Sequence, residues 1–284
     1  MVKQYISIVR LFEHAHIDHQ TELNSGRLKK QVNAVFAFEA SGILSIDGFD
    51  YNKNDVLEEI DRPDFAARLP FHQAIWNNKA LLGFLEDHVF YFDDFRSQLQ
   101  PFNNHPEFEA FFSPYFAGPF NTISRNLLQK KRFNMLSDLM LFEEFVQPAE
   151  REEGFRAIRI FLEESIRLLK NTSVVSFKSN WPELQHWAGG GWAEFLNYLP
   201  DEFEHTKNSL VIQLVNLTVR MQQANINFTK TVSRELTNLR DLSDDMMVLI
   251  SGNDKIYRGS AKSGGNWGWI IWAAIILLRI LSGC

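Results

Sequence analysis

Residues 210–228 read LVIQLVNLTVRMQQANINF and carry the clearest structural signal in the chain. Their apolar residues recur in alternating steps of four and three, which places the side chains along one face of a helix. This stripe consists of Leu210, Leu214, Leu217, Met221, Ala224 and Phe228. All of its members except the alanine are candidate interaction residues, because an apolar helix face must be covered by something.

The stripe continues after a phase shift of four residues, which matches a stutter in a heptad pattern. Its second part consists of Val232, Leu236, Leu239, Leu242, Met246 and Leu249. Together the two parts predict a helix of about 45 residues and nearly 70 Å. Its weakest point is Asn225-Ile226-Asn227, where a break would fall. We expect the stripe to pack within the protein, with self-association through it as the alternative.

The remainder of residues 1–252 predicts a mainly α, irregular multi-helix domain. Helical spacing is visible at 3–20 and 152–170, whereas residues 35–46 fit either a helix end or a short hairpin. Residues 171–200 are predicted to be loop-like and to mark a sub-boundary. They hold three tryptophans around Gly189-Gly190-Gly191, which would either cover the core or form a recognition surface.

The composition excludes some classes of protein. The chain has 284 residues with a formal net charge of −6, so an acidic surface argues against a nucleic-acid partner. Phenylalanine occurs 25 times, which predicts an aromatic-rich core. The one cysteine, Cys284, allows no intramolecular disulfide, as expected in a reducing compartment. The first residues lack the apolar segment of a secretory signal, so we expect the body to lie in the cytoplasm.

The C-terminal residues predict a membrane anchor. Residues 253–266 read as a flexible basic and glycine-rich spacer, and residues 267–284 as a hydrophobic helix of about 27 Å, close to the hydrocarbon thickness. Tryptophans at the entry end suit the headgroup region, and Arg279 near the exit end can reach the far headgroups. The alternative is a C-terminal helix buried in the protein. The residues assigned to the membrane are Trp267, Trp269, Ile270, Ile271, Trp272, Ile275, Ile276, Leu277, Leu278, Arg279 and Leu281.

One motif suggests metal chemistry. The string His14-Ala15-His16-Ile17-Asp18-His19 resembles the H-x-H-x-D-H string with which the metallo-β-lactamase superfamily holds metal ions. The resemblance implies His14, His16, Asp18 and His19 as ligands. It covers six residues, and only thirteen precede it, without the strands that this family places there. On a helix over 3–20, His14 and His16 would point about 200° apart. We therefore predict no metal site and no cofactor.

Three functions remain in order of preference. The first is a C-terminally anchored helical interaction or scaffold protein, whose partners are membrane lipid and either other proteins or copies of itself. The second is a membrane-disrupting effector that oligomerises through its tail, because a short apolar segment and an intramembrane charge favour association. The third is a metal-dependent hydrolase built on the histidine string. No phosphate-binding loop or nucleophile elbow is present, so a non-enzymatic role is favoured.

Overall fold

A computed structural model of the protein describes residues 4–18, 25–102 and 104–259. These residues are mainly helical, which confirms the mainly α character of the predicted fold. The helices are α1 (Ile8–His14), α2 (Ser25–Val35), α3 (Lys53–Asp61), α4 (Phe65–Trp76), α5 (Lys79–Asp87), α6 (Phe92–Leu99), α7 (Pro106–Gln129), α8 (Phe133–Met140), α9 (Arg151–Gly154), α10 (Arg156–Asn171), α11 (Phe177–Leu184), α12 (Trp192–Asn197), α13 (Glu204–Met221), α14 (Ile226–Leu236) and α15 (Asp244–Gly259). Short 3₁₀ segments lie at Phe36–Phe38, Gln100–Phe102, Glu143–Phe145, Gln185–Ala188 and Asp201–Phe203.

The chain folds into two compact units. Unit 1 comprises the described residues of Met1–Ile123 and Phe145–Gly154. Unit 2 comprises those of Ser124–Glu144 and Phe155–Cys284. The 171–200 region, predicted to contain a sub-boundary, lies within unit 2. It is also largely helical, with α11, a 3₁₀ segment and α12, because Trp187 and Trp192 are buried there and anchor the chain.

Helix α1 of unit 1 is shorter than the predicted 3–20. The Ser7 hydroxyl caps its first turn by accepting from the Arg10 backbone N–H at 3.3 Å. At the other end His16 adopts a left-handed conformation with φ 52°, and the Ile17 N–H donates to the Phe12 carbonyl at 2.8 Å. This is the Schellman arrangement that closes a helix, and the buried Ile17 holds it in place.

The ambiguous stretch 35–46 resolves into a helix end followed by a hairpin. Strand β1 (Ile43–Ile46) pairs antiparallel with β2 (Phe49–Asn52), and Ile46 lies opposite Phe49. The two linking residues, Asp47 and Gly48, both have positive φ, as a tight two-residue hairpin turn requires. The hairpin therefore does not include Val35, which ends α2.

Unit 1 has the aromatic-rich core that the composition predicts. Stacked and edge-on ring pairs fill it, and helix α7 supplies a row of them at helical spacing. The fully buried phenylalanines of this core include Phe12, Phe84, Phe95, Phe108, Phe112, Phe116, Phe120 and Phe145.

In unit 2, the predicted long helix is wrong, since the stretch forms α13, α14 and α15 instead. The first break falls at the expected weak point: Asn225 caps α14, its side chain accepting from the Phe228 N–H at 3.1 Å. The three helices then fold against one another, α13 on α14 and α14 on α15. Turning the chain back buries the apolar stripe inside one unit, which a single rod of about 70 Å cannot do.

The predicted spacer 253–266 also needs correction, because it begins inside α15, which runs to Gly259. Asn253, Asp254 and Tyr257 are buried there, so these residues belong to the folded body. Residues 260–266 and the predicted anchor 267–284 lie outside the described residues. Within the part of the chain that the structure describes, no helix combines the length and the apolar character needed to cross a bilayer.

Candidate functional site

Unit 1 contains a cavity of about 400 Å³ beside the segment that precedes α1. Helices α3, α4 and α7 supply the rest of its wall. The lining residues are Gln4, Ile6, Ile8, Asp55, Val56, Glu58, Glu59, Arg62, His72 and Tyr115. Three of them are aliphatic, and most of the others are ionisable, so the cavity offers both apolar contact and charge.

Two of the lining residues, Glu59 and His72, belong to a chain of three polar groups that ends at Tyr5. The Tyr5 hydroxyl lies 3.2 Å from His72 Nδ1, and His72 Nε2 lies 3.3 Å from Glu59 Oε1. His72 is buried, and burial lowers the pKa of its ring although Glu59 opposes that effect. A neutral ring that donates a hydrogen bond from Nε2 to the carboxylate can accept one from the Tyr5 hydroxyl at Nδ1. One tautomer therefore satisfies both contacts.

Glu59 is the ionised centre of this network. Burial raises the pKa of Glu59, but hydrogen bonds from His72 and Arg68 outweigh it and bring the pKa to about 2. Arg68 donates through Nε at 2.7 Å, and its guanidinium lies 4.6 Å from the centre of the Phe111 ring. The same guanidinium reaches the Tyr115 hydroxyl at 3.4 Å.

This geometry suits binding better than proton transfer. Both nitrogens of His72 are engaged, and Tyr5 is only 2% exposed, with burial first among the causes that raise the pKa of its hydroxyl. Glu59 holds its charge against two donors. A molecule entering the cavity would instead meet Asp55 and Glu58, which are exposed at the rim. Those two carboxylates favour a cationic group.

The metal-ligand candidates do not form a cluster in the described residues. His14 ends α1, His16 occupies the left-handed position after it, and Asp18 follows two residues later; all three side chains are exposed. Over residues 4–18, 25–102 and 104–259, no group of three or more His, Cys, Asp or Glu side chains is placed to hold a metal ion. His19 lies outside these residues.

The interaction candidates of the apolar stripe are all buried within unit 2. The buried set is Leu210, Leu214, Leu217, Met221 and Phe228. Phe228 packs edge-on against the Phe177 ring, with 5.1 Å between centroids. These five side chains are covered by their own unit. The membrane candidates from Trp267 to Leu281 lie outside the described residues.

The cavity residues were missed at the level of sequence. Tyr5 and His72 are 67 positions apart, and Glu59 and His72 lie on successive helices, 13 positions apart. No local spacing links them, since their approach follows from packing α3 and α4 against the segment before α1. Only His72, a polar residue on the largely apolar helix α4, hints at a buried network.

Comparisons with known proteins do not identify the chain. No protein-family model, no curated protein and no solved structure matches it. A functional conclusion therefore rests on its own residues and geometry.

Proposed function

We propose that the chain is a helical interaction protein tethered to a membrane by its C-terminal residues, with its body on the cytoplasmic side. One observation carries this proposal: residues 267–281 are apolar on every face apart from Arg279. A segment of this kind favours lipid over water. Lys255, Arg258 and Lys262 precede it, and basic residues beside a membrane segment favour the cytoplasmic side.

Two features of the body bear on this proposal, the first on the tail and the second on the interaction role. The apolar stripe of α13 and α14 is already buried, so the body has no need of the tail to cover it. The cavity of unit 1 is partly apolar and has carboxylates at its rim, an arrangement that binds rather than one that transfers protons. The partner class that fits best is a protein that presents a cationic side chain to Asp55 and Glu58.

Cell fractionation of the full chain and of a chain ending at Ser263 tests the tether. We expect the full chain in the membrane fraction, resistant to alkaline carbonate and released by detergent. The shortened chain should be soluble, because it lacks the apolar residues. Full-length Ile271→Lys should weaken attachment, since a charge deep in the segment is costly, while Ser282→Lys near its end serves as the matched control. Soluble full chain would contradict the proposal.

The cavity is tested by reversing its rim charges. Asp55→Lys with Glu58→Lys should remove a stoichiometric partner recovered from detergent-solubilised membranes. The matched control is Asp93→Lys with Asp94→Lys, two exposed carboxylates in the first turn of another helix of unit 1. Equal recovery with both pairs would exclude the cavity as the recognition site, whatever the outcome for the tether.

A second candidate, permeabilisation of the membrane by an assembly of tails, is favoured by Arg279 within a short apolar run. An intramembrane charge is relieved when several segments associate around it. Purified full chain should then release dye from liposomes, and Arg279→Leu should slow the release. Dye retained at every protein concentration would end this candidate and leave the tether intact.

A further inference from the structure

Contacts in unit 2 bring the ends of α10 and α13 and the starts of α11 and α14 together near the end of α15. The Arg220 guanidinium, at the end of α13, donates to the Leu169 carbonyl near the end of α10 at 2.8 Å. Phe177, which begins α11, packs on Phe228 in the first turn of α14. Burial raises the pKa of Tyr257 near the end of α15, and Thr218 of α13 lies close enough to its hydroxyl to oppose that rise. We call this region the exit end.

The segments that form the exit end belong to stretches of the sequence without acidic residues, two of which are long. Residues 165–182 and 205–234 contain no Asp or Glu, and neither does anything after Asp254. The basic residues in the parts of these runs near the exit end are Arg167, Lys170, Lys178, Arg220, Lys230, Lys255 and Arg258. Asp254, buried in α15, pairs with Arg258 at 2.6 Å. Because the whole chain has a formal net charge of −6, its acidic residues must be concentrated outside these runs.

Many of the acidic residues of unit 2 gather at its opposite end. The start of α13 meets the segment after α14 there, since Lys207 Nζ donates to the Arg240 carbonyl at 3.1 Å. Burial lowers the pKa of Lys207, and the charges of Asp241 and Glu204 oppose that effect, so both carboxylates are close. The acidic residues in this region are Glu204, Glu235, Asp241, Asp244 and Asp245. Unit 2 is therefore electrically polarised along α13–α15.

Apolar side chains project at the same exit end. Val175 is 93% exposed and Val174 is 53% exposed, both in the segment between α10 and α11. Reciprocal hydrogen bonds between Ser173 and Ser176 hold this segment: each backbone N–H donates to the other hydroxyl, at 2.9 and 3.1 Å. The valines are thus presented by a hydrogen-bonded turn, between the exposed Lys170 and Lys178.

The tail departs from this end. Helix α15 finishes at Gly259, and residues 260–266 can reach no farther than roughly 25 Å before the apolar stretch begins. A bilayer that holds the tail is therefore within reach of the exit end. The basic side chains and the exposed valines match what a membrane surface offers, namely anionic headgroups above an apolar layer.

We propose that the exit end of unit 2 docks on the anionic lipid headgroups of the membrane that holds the tail, with Val174 and Val175 inserted between them and with Lys170 and Lys178 against the phosphates. This inference rests on the proposed tether and adds an orientation to it. The body does not swing freely on its spacer: α15 points toward the bilayer, and the acidic end of unit 2 faces away.

Site-specific fluorescence on the full chain tests this orientation. In a Cys284→Ser background, one sample carries Val175→Cys and the matched control carries Asp244→Cys, at the far end of α15, about 22 Å from Gly259 along the helix. Each is labelled with an environment-sensitive dye and incorporated into liposomes of phosphatidylcholine and phosphatidylserine, with and without brominated lipid. We expect a blue shift and quenching at Val175, at least about twofold stronger than at Asp244, because brominated lipid quenches only a dye that contacts the bilayer and Asp244 lies at the end of unit 2 that faces away from it.

A charge variant identifies the lipid. Lys170→Glu with Lys178→Glu in the Val175→Cys chain should reduce quenching toward the Asp244 level, whereas Arg234→Glu with Arg240→Glu should leave it unchanged. Pure phosphatidylcholine should reproduce the loss. Equal quenching with and without phosphatidylserine would overturn the assignment to anionic lipid.

Flotation of the same liposomes separates the two proposals. If the chain floats but the Val175 dye behaves like the Asp244 dye, the docking surface is wrong and the tether stands. If the chain does not float, the tether fails and the docking surface fails with it. A Val175 dye that is blue-shifted but insensitive to brominated lipid would show that Val175 is covered by protein, such as another copy of the chain. That result would overturn lipid docking.

Discussion

Unit 1 and unit 2 handle buried polar groups in opposite ways. In unit 1 the Arg10 guanidinium makes two hydrogen bonds to Glu86, at 3.1 and 2.5 Å, and Glu59 is held by His72 and Arg68. In unit 2 the His186 ring packs among Phe133, Phe161 and Trp187. Neither His186 nitrogen has a hydrogen-bond partner among the described residues.

Whether a buried ionisable group keeps its charge depends on whether it has a hydrogen-bond partner. With a well-placed partner, it keeps its charge and joins distant segments, as Arg10 joins α1 to α5. Without one, it gives up its charge: burial lowers the pKa of His186 to about 3, helped by the charge of Lys131, and the ring behaves as one more aromatic. Three substitutions test this contrast.

The largest effect is expected from breaking the Arg10–Glu86 pair. Arg10→Met leaves the Glu86 carboxylate, whose side chain is 2% exposed, without its cation. Burial already raises the pKa of Glu86, and Arg10 opposes that rise. We expect the free energy of unfolding of the detergent-solubilised chain to fall by about 3 kcal/mol in chemical denaturation. Arg10→Met with Glu86→Leu should recover most of the loss, and a double variant no better than the single one would contradict this account.

Glu59→Gln should have an intermediate effect that depends on pH. The folded pKa of Glu59, about 2, lies below its ordinary 4.5, so folding favours the ionised form. The contribution of the ionised Glu59 to the free energy of unfolding is complete above pH 4.5 and is lost as the pH falls through about 2. The variant should be less stable than the parent by about 2 kcal/mol at pH 7, and the two unfolding curves should converge toward pH 2. Glu58→Gln, an exposed neighbour, is the control. A difference that does not vary with pH would count against an ionised Glu59.

The smallest effect, with the opposite sign, is expected at His186. Its folded pKa of about 3 lies below its ordinary 6.5, so the unfolded chain binds more protons and stability is lost as the pH falls from 6.5 toward 3. His186→Phe removes this loss and keeps the ring contacts. The difference in free energy of unfolding between the variant and the parent should be about 1 kcal/mol more in favour of the variant near pH 5 than at pH 8. The exposed His205→Asn should show no such gain, and parallel pH profiles for His186→Phe and the parent would refute a neutral His186.

Local features of the fold were accessible from the sequence to different degrees. The stripe from Leu210 to Met221 predicted the buried face of α13 correctly, and the predicted weak point, Asn225-Ile226-Asn227, is where the chain breaks before α14. The early end of α1 was not predicted, since His16 occupies a left-handed position that glycine usually takes. The continuation of α15 through Gly252 was missed for the converse reason: a glycine inside a helix costs only about 1 kcal/mol, which packing can supply.

The helical periodicity, the apolar character of residues 267–281 and the acid-free runs at 165–182 and 205–234 can be read directly from the residues. These properties depend on residue type and on neighbours within one or two turns. The fold was needed to show that the acid-free runs meet at the end where α15 finishes, and that Glu59 and His72 line one cavity with Tyr5 bonded to His72 behind it. Such meetings are made by packing between segments far apart in the chain, where no spacing rule applies, so they become visible only when the helices are folded together.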